Sequence, residues 1–356
     1  MTAIPPELAR ELRATLRENS GRFVGRFYRR ELLLARTVRG MQIEAQQEFD
    51  REVIRPLLRT VGANLAGFRP RGNDVLVEFF PELARLEEEI GDTVSQGSDA
   101  VRRLATERLE ELSRAEAEFV TEAGRDGGVE IIRGAGPVPL ADVLDRPFLG
   151  NLAEDRFEAL LEGPDGTGNT VRAWVQTGIQ RGLTTDEIVG HIRGSGGQAG
   201  LLEAKRNDVA ALVRTAAAHV SAQSRMESFR GIGVDTWRFV ATLDLRTSAI
   251  CASNDGKTFP VGEGPVPPLH PNCRSTAVPD FGDDDPGAKR AAVGGQVPAS
   301  TTYQDWLKQQ PKGDQDRMLG RTKAAAWRRG DLTFERMVGR DLQPLTLAEL
   351  RKLDRV

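Results

Sequence analysis

Residues 236–278 read TWRFVATLDLRTSAICASNDGKTFPVGEGPVPPLHPNCRSTAV, and here the texture of the chain changes. Thr236–Thr242 is rich in β-branched and aromatic side chains, which suit a pleated, half-buried surface. Thr258-Phe259-Pro260 and Ser275-Thr276-Ala277-Val278 are short extended pieces of the same kind, so a small sheet is predicted. Asp255-Gly256, the prolines from Pro265 to Pro268, and Pro271 punctuate the intervening chain as turns. Outside this block the patterning is helical. The fold class that follows is α+β and predominantly α-helical: an extended helical N-terminal arm plus a compact module with a small β-sheet and Pro/Gly-rich loops.

Upstream, Leu201–Arg230 is an Ala-rich run with strong helix propensity. Around Thr170–Arg181, Val171, Trp174, Val175 and Ile179 share a helical face, and Thr184 and Glu187 then have the spacing of a capping box. From Glu7 to Arg59 apolar residues such as Leu8, Leu12 and Leu16 recur at four-residue spacing, with Pro56 marking a kink or stop. A second helical stretch runs from Pro81 to Ala123, through Leu83, Leu86 and Ile90 and then Leu104, Leu109 and Leu112, and Gly91 and Gly97 are expected to split it. Gly124–Pro139 reads as a linker, Gly194–Gly200 as a turn and Pro279–Pro298 as a long loop, with short helices returning around Tyr303–Gln309 and Leu345–Leu353. The expected segments are a helical arm over 1–130, a helical connecting region over 131–200, the α+β module over 201–282, and a loop with short C-terminal helices over 283–356.

The 356 residues include 39% hydrophobic and 28% charged positions, enough apolar material for a core. Forty-nine Lys+Arg stand against 52 Asp+Glu, a formal charge of -3, which argues against a wholesale electrostatic grip on DNA or anionic lipid. Any such contact must be local. The most basic stretch carries Arg22, Arg26, Arg29 and Arg30, interleaved with Phe23, Phe27 and Tyr28. It reads either as a face that contacts DNA phosphates or an acidic portal surface, or as an amphipathic helix whose arginines snorkel around an aromatic core face. No run approaches the roughly 20 apolar residues of a membrane span. Met1–Arg13 holds Pro5-Pro6 and charges in place of an apolar signal core, so synthesis in the cytoplasm without membrane insertion is the expectation.

Every residue type that can bind a soft metal lies inside the quoted block. His270 and Cys273 are separated by two residues, a spacing that presents two ligands from one tight turn, and Cys251 can return from the far end of the loop. Cys251, His270 and Cys273 are therefore candidate zinc ligands, with Asp244 or Asp255 as a possible fourth. The alternatives are two small buried cysteines with a histidine held by a backbone carbonyl, a disulfide, or a thiolate nucleophile with His270 or His219 as its base. His191 and His219 lie in expected helices and read as packing or surface residues.

The order Trp237, Thr242, Asp244, Arg246-Thr247, Cys251, Asp255-Gly256, Phe259, Pro267-Pro268, His270-Pro271 and Cys273-Arg274 resembles the phage Mu F-like head morphogenesis family of minor capsid proteins. The resemblance covers residues 200–280. Arg214-Thr215 is similar to that family's Arg-Thr pair, and Tyr303-x-x-Trp306-Leu307-x-x-Gln310 followed by Leu319-Gly320 is similar to a segment found after the domain. Residues 1–150 show no match. The resemblance implies a minor head protein that joins the procapsid in few copies, associates with the portal vertex and supports head assembly and DNA packaging or delivery. Its partners would be the portal protein, the major capsid or scaffold protein and packaged DNA, and its place the virion head. Arg214, Thr215, Asp244, Arg246, Thr247, Asp255, Gly256, Pro268, Pro271 and Arg274 would then be structural, with Asp244 capping turns and Arg246 or Arg274 forming bidentate bonds. The competing reading is an enzyme, hydrolytic or toxin-like, centred on Cys251, His270 and Cys273. The chain has no Walker A loop, His-Glu-x-x-His pair or Ser-centred elbow, and the expectation is that it is not an enzyme.

Overall fold

The computed structural model describes residues 6–66, 80–129, 143, 153–195, 198–282, 288–339 and 343–353. Most of the expected linker Gly124–Pro139, the centre of the turn Gly194–Gly200 and part of the stretch Pro279–Pro298 lie outside them. The protein is predominantly helical with a few small antiparallel sheets. It divides into two compact units built from non-consecutive stretches, one from residues 1–36, 112–143 and 218–356, the other from 37–111 and 144–217.

The second unit contains the helices Arg55–Asn64, Ala153–Leu161, Thr167–Gln180 and Thr185–Arg193, and the two-residue strands β1 (Gly194–Ser195) and β2 (Gln198–Ala199). The capping box forms: the Glu187 amide donates to Thr184 Oγ1 at 3.3 Å and the Thr184 amide to Glu187 Oε2 at 2.8 Å, so two free donors at the helix start are satisfied. Gly91 and Gly97 do not break their helix, which runs without interruption over 47 residues from Phe80 to Asp126. They mark close approach instead. A Cβ at Gly97 would collide with the Glu52 carbonyl and the Val53 side chain, and one at Gly91 with the Arg172 guanidinium. Pro56 sits in the first turn of the helix Arg55–Asn64, where its missing N–H costs nothing, just after a π-helical turn at Asp50–Ile54.

In the first unit the start of the N-terminal helical stretch packs into the core. Leu12, Leu16, Phe23 and Phe27 are buried in one cluster with Phe119, Val120, Phe229, Trp237 and Phe239. Phe27 meets Phe119 and Phe23 edge-on, at ring-centroid distances of 4.8 and 5.2 Å. Such pairing adds about 0.5–1.5 kcal/mol to simple burial and fixes ring orientation. The cluster closes on a three-stranded antiparallel sheet in the order β4 (Thr258–Pro260), β3 (Thr236–Val240), β5 (Thr276–Pro279), with Trp237 opposite Phe259 on one side and Phe239 opposite Ala277 on the other. All three expected strands are present.

The stretch Pro279–Pro298 departs from the expected loop. It carries a hairpin of β6 (Lys289–Ala292) and β7 (Gly295–Pro298), paired Lys289 to Pro298 through Ala292 to Gly295. The hairpin docks beside the end of β3, where the Val293 amide donates to the Leu243 carbonyl at 3.0 Å. A second buried cluster, Leu243 with Tyr303, Trp306, Leu307, Trp327 and Phe334, gathers the short C-terminal helices Tyr303–Lys308, Lys312–Leu319, Arg321–Arg329 and Leu347–Lys352 onto the same unit.

Candidate functional site

β3 delivers the chain into Thr242-Leu243-Asp244 and a turn that starts the short helix Ala249–Asn254. Ser248 caps that helix, its hydroxyl accepting from the Cys251 amide at 3.3 Å, which holds Cys251 facing inward in the first turn. Asp255-Gly256 then reverses the chain into β4, with Gly256 at φ 82°, a left-handed conformation that favours glycine. The return path through Pro265–Pro271 brings His270 and Cys273 back against Cys251.

Three polar ties result. In the first, both terminal nitrogens of the Arg274 guanidinium reach the Asp244 carboxylate, Nη2 to Oδ1 at 2.9 Å and Nη1 to Oδ2. Asp244 Oδ1 also accepts from the Arg246 amide at 2.9 Å, and its own carbonyl accepts from the Tyr303 hydroxyl at 2.8 Å. Burial works to raise the Asp244 pKa, but Arg274 and the Arg246 amide outweigh it and hold the carboxyl below its ordinary value. The Arg246 side chain is exposed and contributes through its backbone. Thr247 turns its hydroxyl to the Thr242 carbonyl.

The second tie is deeper. The Asp255 side chain is fully buried and the Arg290 side chain is 3% exposed. Asp255 accepts from the amides of Ala241 and Tyr303, each at 2.6 Å, and from both Arg290 terminal nitrogens at 2.9 and 3.0 Å. Arg290 also donates to the carbonyls of Thr301, at 2.9 Å, and Ala241. One carboxylate thus joins the end of β3, the β6–β7 hairpin and the start of the helix Tyr303–Lys308.

The third tie is the sulfur cluster. Cys251 Sγ lies 3.2 Å from His270 Nε2 and 3.7 Å from Cys273 Sγ, and the three ligand atoms fall within 4.8 Å of one another. Both cysteines are free thiols at 1% exposure. The hydrogen bond from Cys251 pulls Cys273 towards thiolate against the effect of burial, and the same bond raises Cys251. Burial pulls the His270 pKa down, but the bond to Cys273 and the charge there bring it out above its ordinary value. His270 Nδ1 stands 2.8 Å from the Pro271 carbonyl, a contact that places the proton on Nδ1 and leaves Nε2 to face the sulfurs. The cluster could hold a metal ion. Asp244 and Asp255 are not part of it, because their oxygens are spent on Arg274, Arg290 and backbone amides.

The other expected site residues lie elsewhere or play smaller parts. Arg214 and Thr215 belong to the second unit, where Arg214 donates to Gln42 Oε1 at 2.6 Å and Thr215 to the Ala211 carbonyl at 2.7 Å. Pro268 is buried in a cis peptide bond with Pro267, and Pro271 supplies the carbonyl for His270. On the basic helix, Phe23, Phe27 and Tyr28 are buried, Arg26 pairs with Asp126 and Glu122, and Arg30 pairs with Glu116 at 3.0 Å. Arg22 and Arg29 remain exposed. The amphipathic description therefore accounts for the helix. His219 is buried with Nε2 3.0 Å from the Val143 carbonyl, and His191 stacks on Trp174 at 3.7 Å.

Two buried arginines gave no signal in the sequence. Arg290 lies in a stretch that reads as loop. Arg225, in the helix Leu201–Gly231, donates to Glu116 at 2.6 Å, to Thr276 Oγ1 at 2.5 Å and to the Ala277 carbonyl at 3.1 Å, all with fully buried charged side chains. Nothing local marks either one, since the carboxylates they pair with are 35 and 109 residues away in the chain.

Residues 169–278 match the family model described as Phage Mu protein F like protein. The match takes in Asp244, Cys251, Asp255, His270, Cys273 and Arg274 and ends before the β6–β7 hairpin. No curated protein and no solved structure matches the chain.

Proposed function

We propose that this chain, whose residues 169–278 are phage Mu F-like, is a minor head-morphogenesis protein of a tailed bacteriophage. It joins the procapsid in few copies, sits in the virion head near the portal vertex, and supports procapsid assembly and DNA packaging or delivery. It contacts the portal protein and the major capsid or scaffold protein, and its role is structural, without catalysis. The observation that carries this reading is how the motif side chains are used: Asp244 and Arg274 are consumed in binding each other, and Asp255 in binding Arg290 of the following hairpin. Leu32 and Leu33, 42% and 51% exposed on the helix Ser20–Phe49 next to Arg29, offer a partner an apolar contact with a basic edge. Among the described residues no helix is long and apolar enough to cross a membrane.

Zinc fits the sulfur cluster. With Zn–S near 2.3 Å and Zn–N near 2.0–2.1 Å, a tetrahedral ion separates two sulfurs by about 3.8 Å and a sulfur from a nitrogen by about 3.5 Å. The observed separations of 3.7 and 3.2 Å are close to both. Bound there, zinc would tie the helix Ala249–Asn254 to the turn before β5, and Cys251, His270 and Cys273 would hold it.

The enzyme reading draws support from the 3.2 Å Cys251–His270 contact, the geometry of a nucleophile and its base. Against it, a nucleophilic thiolate must meet its substrate, and both sulfurs are buried. Gradient sedimentation of lysate from phage-producing cells distinguishes the readings. The chain should travel with heads at a small constant ratio to the major capsid protein. Its confinement to soluble fractions while normal particles form without it would overturn the proposal.

A further inference from the structure

The two thiols of the sulfur cluster face each other across 3.7 Å and are 22 residues apart in the chain. A disulfide holds its sulfurs about 2.05 Å apart, so each has to travel less than about 1 Å to reach the other. Both are held in place by the local fold. Cys251 sits in the first turn of a helix capped by Ser248, and Cys273 closes a turn in which its amide donates to the His270 carbonyl at 3.2 Å. Zinc is bound by thiolates and a disulfide offers it none, so metal and oxidation compete for the same two atoms.

Burial of both sulfurs excludes a bulky oxidant. Their cover is thin on one side. In the turn from His270 to Cys273, His270 is half-buried and Pro271 and Asn272 are exposed. Local opening of that one turn uncovers Cys273 without unfolding the module, and an oxidant hardly larger than water can then enter.

We infer that Cys251 and Cys273 are a redox pair, which hydrogen peroxide closes into an intramolecular disulfide that takes the place of the metal. In the first step a thiolate sulfur attacks one peroxide oxygen and the O–O bond breaks, which leaves a sulfenic acid and a hydroxide that takes up a proton as water. The other sulfur then attacks the sulfenic sulfur: the S–S bond forms, the S–O bond breaks, and the departing hydroxide takes the remaining thiol proton. Two thiols lose two electrons, one peroxide gains them, and two waters leave. The inference deepens the zinc reading of the same cluster, and only the displacement of metal rests on that reading, because the disulfide needs the sulfurs alone.

The test treats the folded full-length protein, reduced and then freed of reductant, with a slight excess of hydrogen peroxide, once loaded with zinc and once stripped by a chelator. Remaining thiols are alkylated and the protein is digested with trypsin without reduction. Cleavage after Arg246, Lys257 and Arg274 puts Cys251 in the peptide 247–257 and Cys273 in the peptide 258–274. The two peptides should appear joined, two hydrogens lighter than their sum, and separate on dithiothreitol, while the undigested chain runs as a monomer on a non-reducing gel. Zinc-loaded protein should release its metal as the link forms. The urea midpoint should rise on linkage and fall back with reductant, and Cys273→Ser should show neither change. Linked peptides from protein that takes up no zinc would remove the metal and leave the disulfide standing. Separately alkylated cysteines, sulfinic acid on either peptide, or a link that joins two chains would overturn the inference, whether or not zinc binds.

Discussion

Replacing Asp255 by Asn is the most informative single change, because so many bonds converge on that carboxylate. It accepts four, two from backbone amides at 2.6 Å and two from Arg290, with the Asp255 side chain fully buried and that of Arg290 3% exposed. Removing one member of a buried ion pair leaves an uncompensated charge and costs about 3–5 kcal/mol. Asn retains one carbonyl oxygen for an amide but turns an NH2 towards the other donors, and each buried N–H left unpaired adds about 1–3 kcal/mol. Asp255→Ala should be worse than Asp255→Asn. Arg290→Met leaves the carboxylate its two amides and removes its counter-charge, so its cost should again be about 3–5 kcal/mol. With both charges gone, Asp255→Asn/Arg290→Met should cost less than the sum of its parts by about 2 kcal/mol or more. Urea unfolding followed by tryptophan emission reports on this unit, since Trp237, Trp306 and Trp327 are buried within it. Single changes costing under about 1 kcal/mol, or a double variant additive to within about 0.5 kcal/mol, would refute the claim that this tie holds the module together.

Protein expressed with zinc available should carry about one equivalent of metal and lose it on Cys273→Ser, and metal analysis giving only traces in the unsubstituted protein would remove zinc from the cluster. Glu31 keeps part of its stem in solvent while its Oε1 is buried without a partner, and burial raises its pKa from 4.5 to about 7 against the pull of Arg225 and Arg290 and with a further push from Asp255 and Glu116. The folded state therefore holds a proton that the unfolded chain has released, so stability should fall by at most about 3 kcal/mol as pH rises from 4.5 to 7 and then level off. Glu31→Gln should flatten that part of a Tm-against-pH profile, and a variant whose profile keeps the slope would count against the assignment. DNA binding through the basic helix is left to the exposed Arg22 and Arg29, so the slope of log affinity against log salt should be no steeper than about -2. A much steeper slope, abolished by charge reversal at those two positions, would show that Arg26 and Arg30 leave their acidic partners to bind phosphate.

The sheet was legible because its strands concentrate Thr, Trp, Phe and Val between turn residues, and β3, β4 and β5 lie where that texture places them. Thr184 and Glu187 were legible because a capping box is local by nature. The sulfur cluster showed in the His270–Cys273 spacing, although only the folded chain brings Cys251 to them. The β6–β7 hairpin was missed because Lys289–Ala292 has no β-branched or aromatic residue, yet Gly294-Gly295 at its turn was a signal to be read. Gly91 and Gly97 misled because a helical glycine can mark either a break or a close approach, and the sequence does not say which neighbour will arrive. The same limit hid Arg225 and Arg290: burial and pairing of a charge depend on residues far along the chain, for which local pattern carries no information.

These features bear on why such a module suits assembly. The ties Asp244–Arg274, Asp255–Arg290 and Cys251–His270–Cys273 each cross a loop of some 20 to 35 residues, and all anchor in the short stretch between β3 and β4. Each of these closures is reached against loop entropy on folding and is then secured by bonds that water cannot easily replace. A loop-rich segment fixed in this way keeps one shape without a large apolar core of its own, and its outer surface is left free for a partner. An active site makes the opposite demand, with at least one reactive group held open to a substrate. Here the thiols are buried and both carboxylates are bonded to arginine, so the chemistry of the motif is directed inward, as the proposed structural role requires.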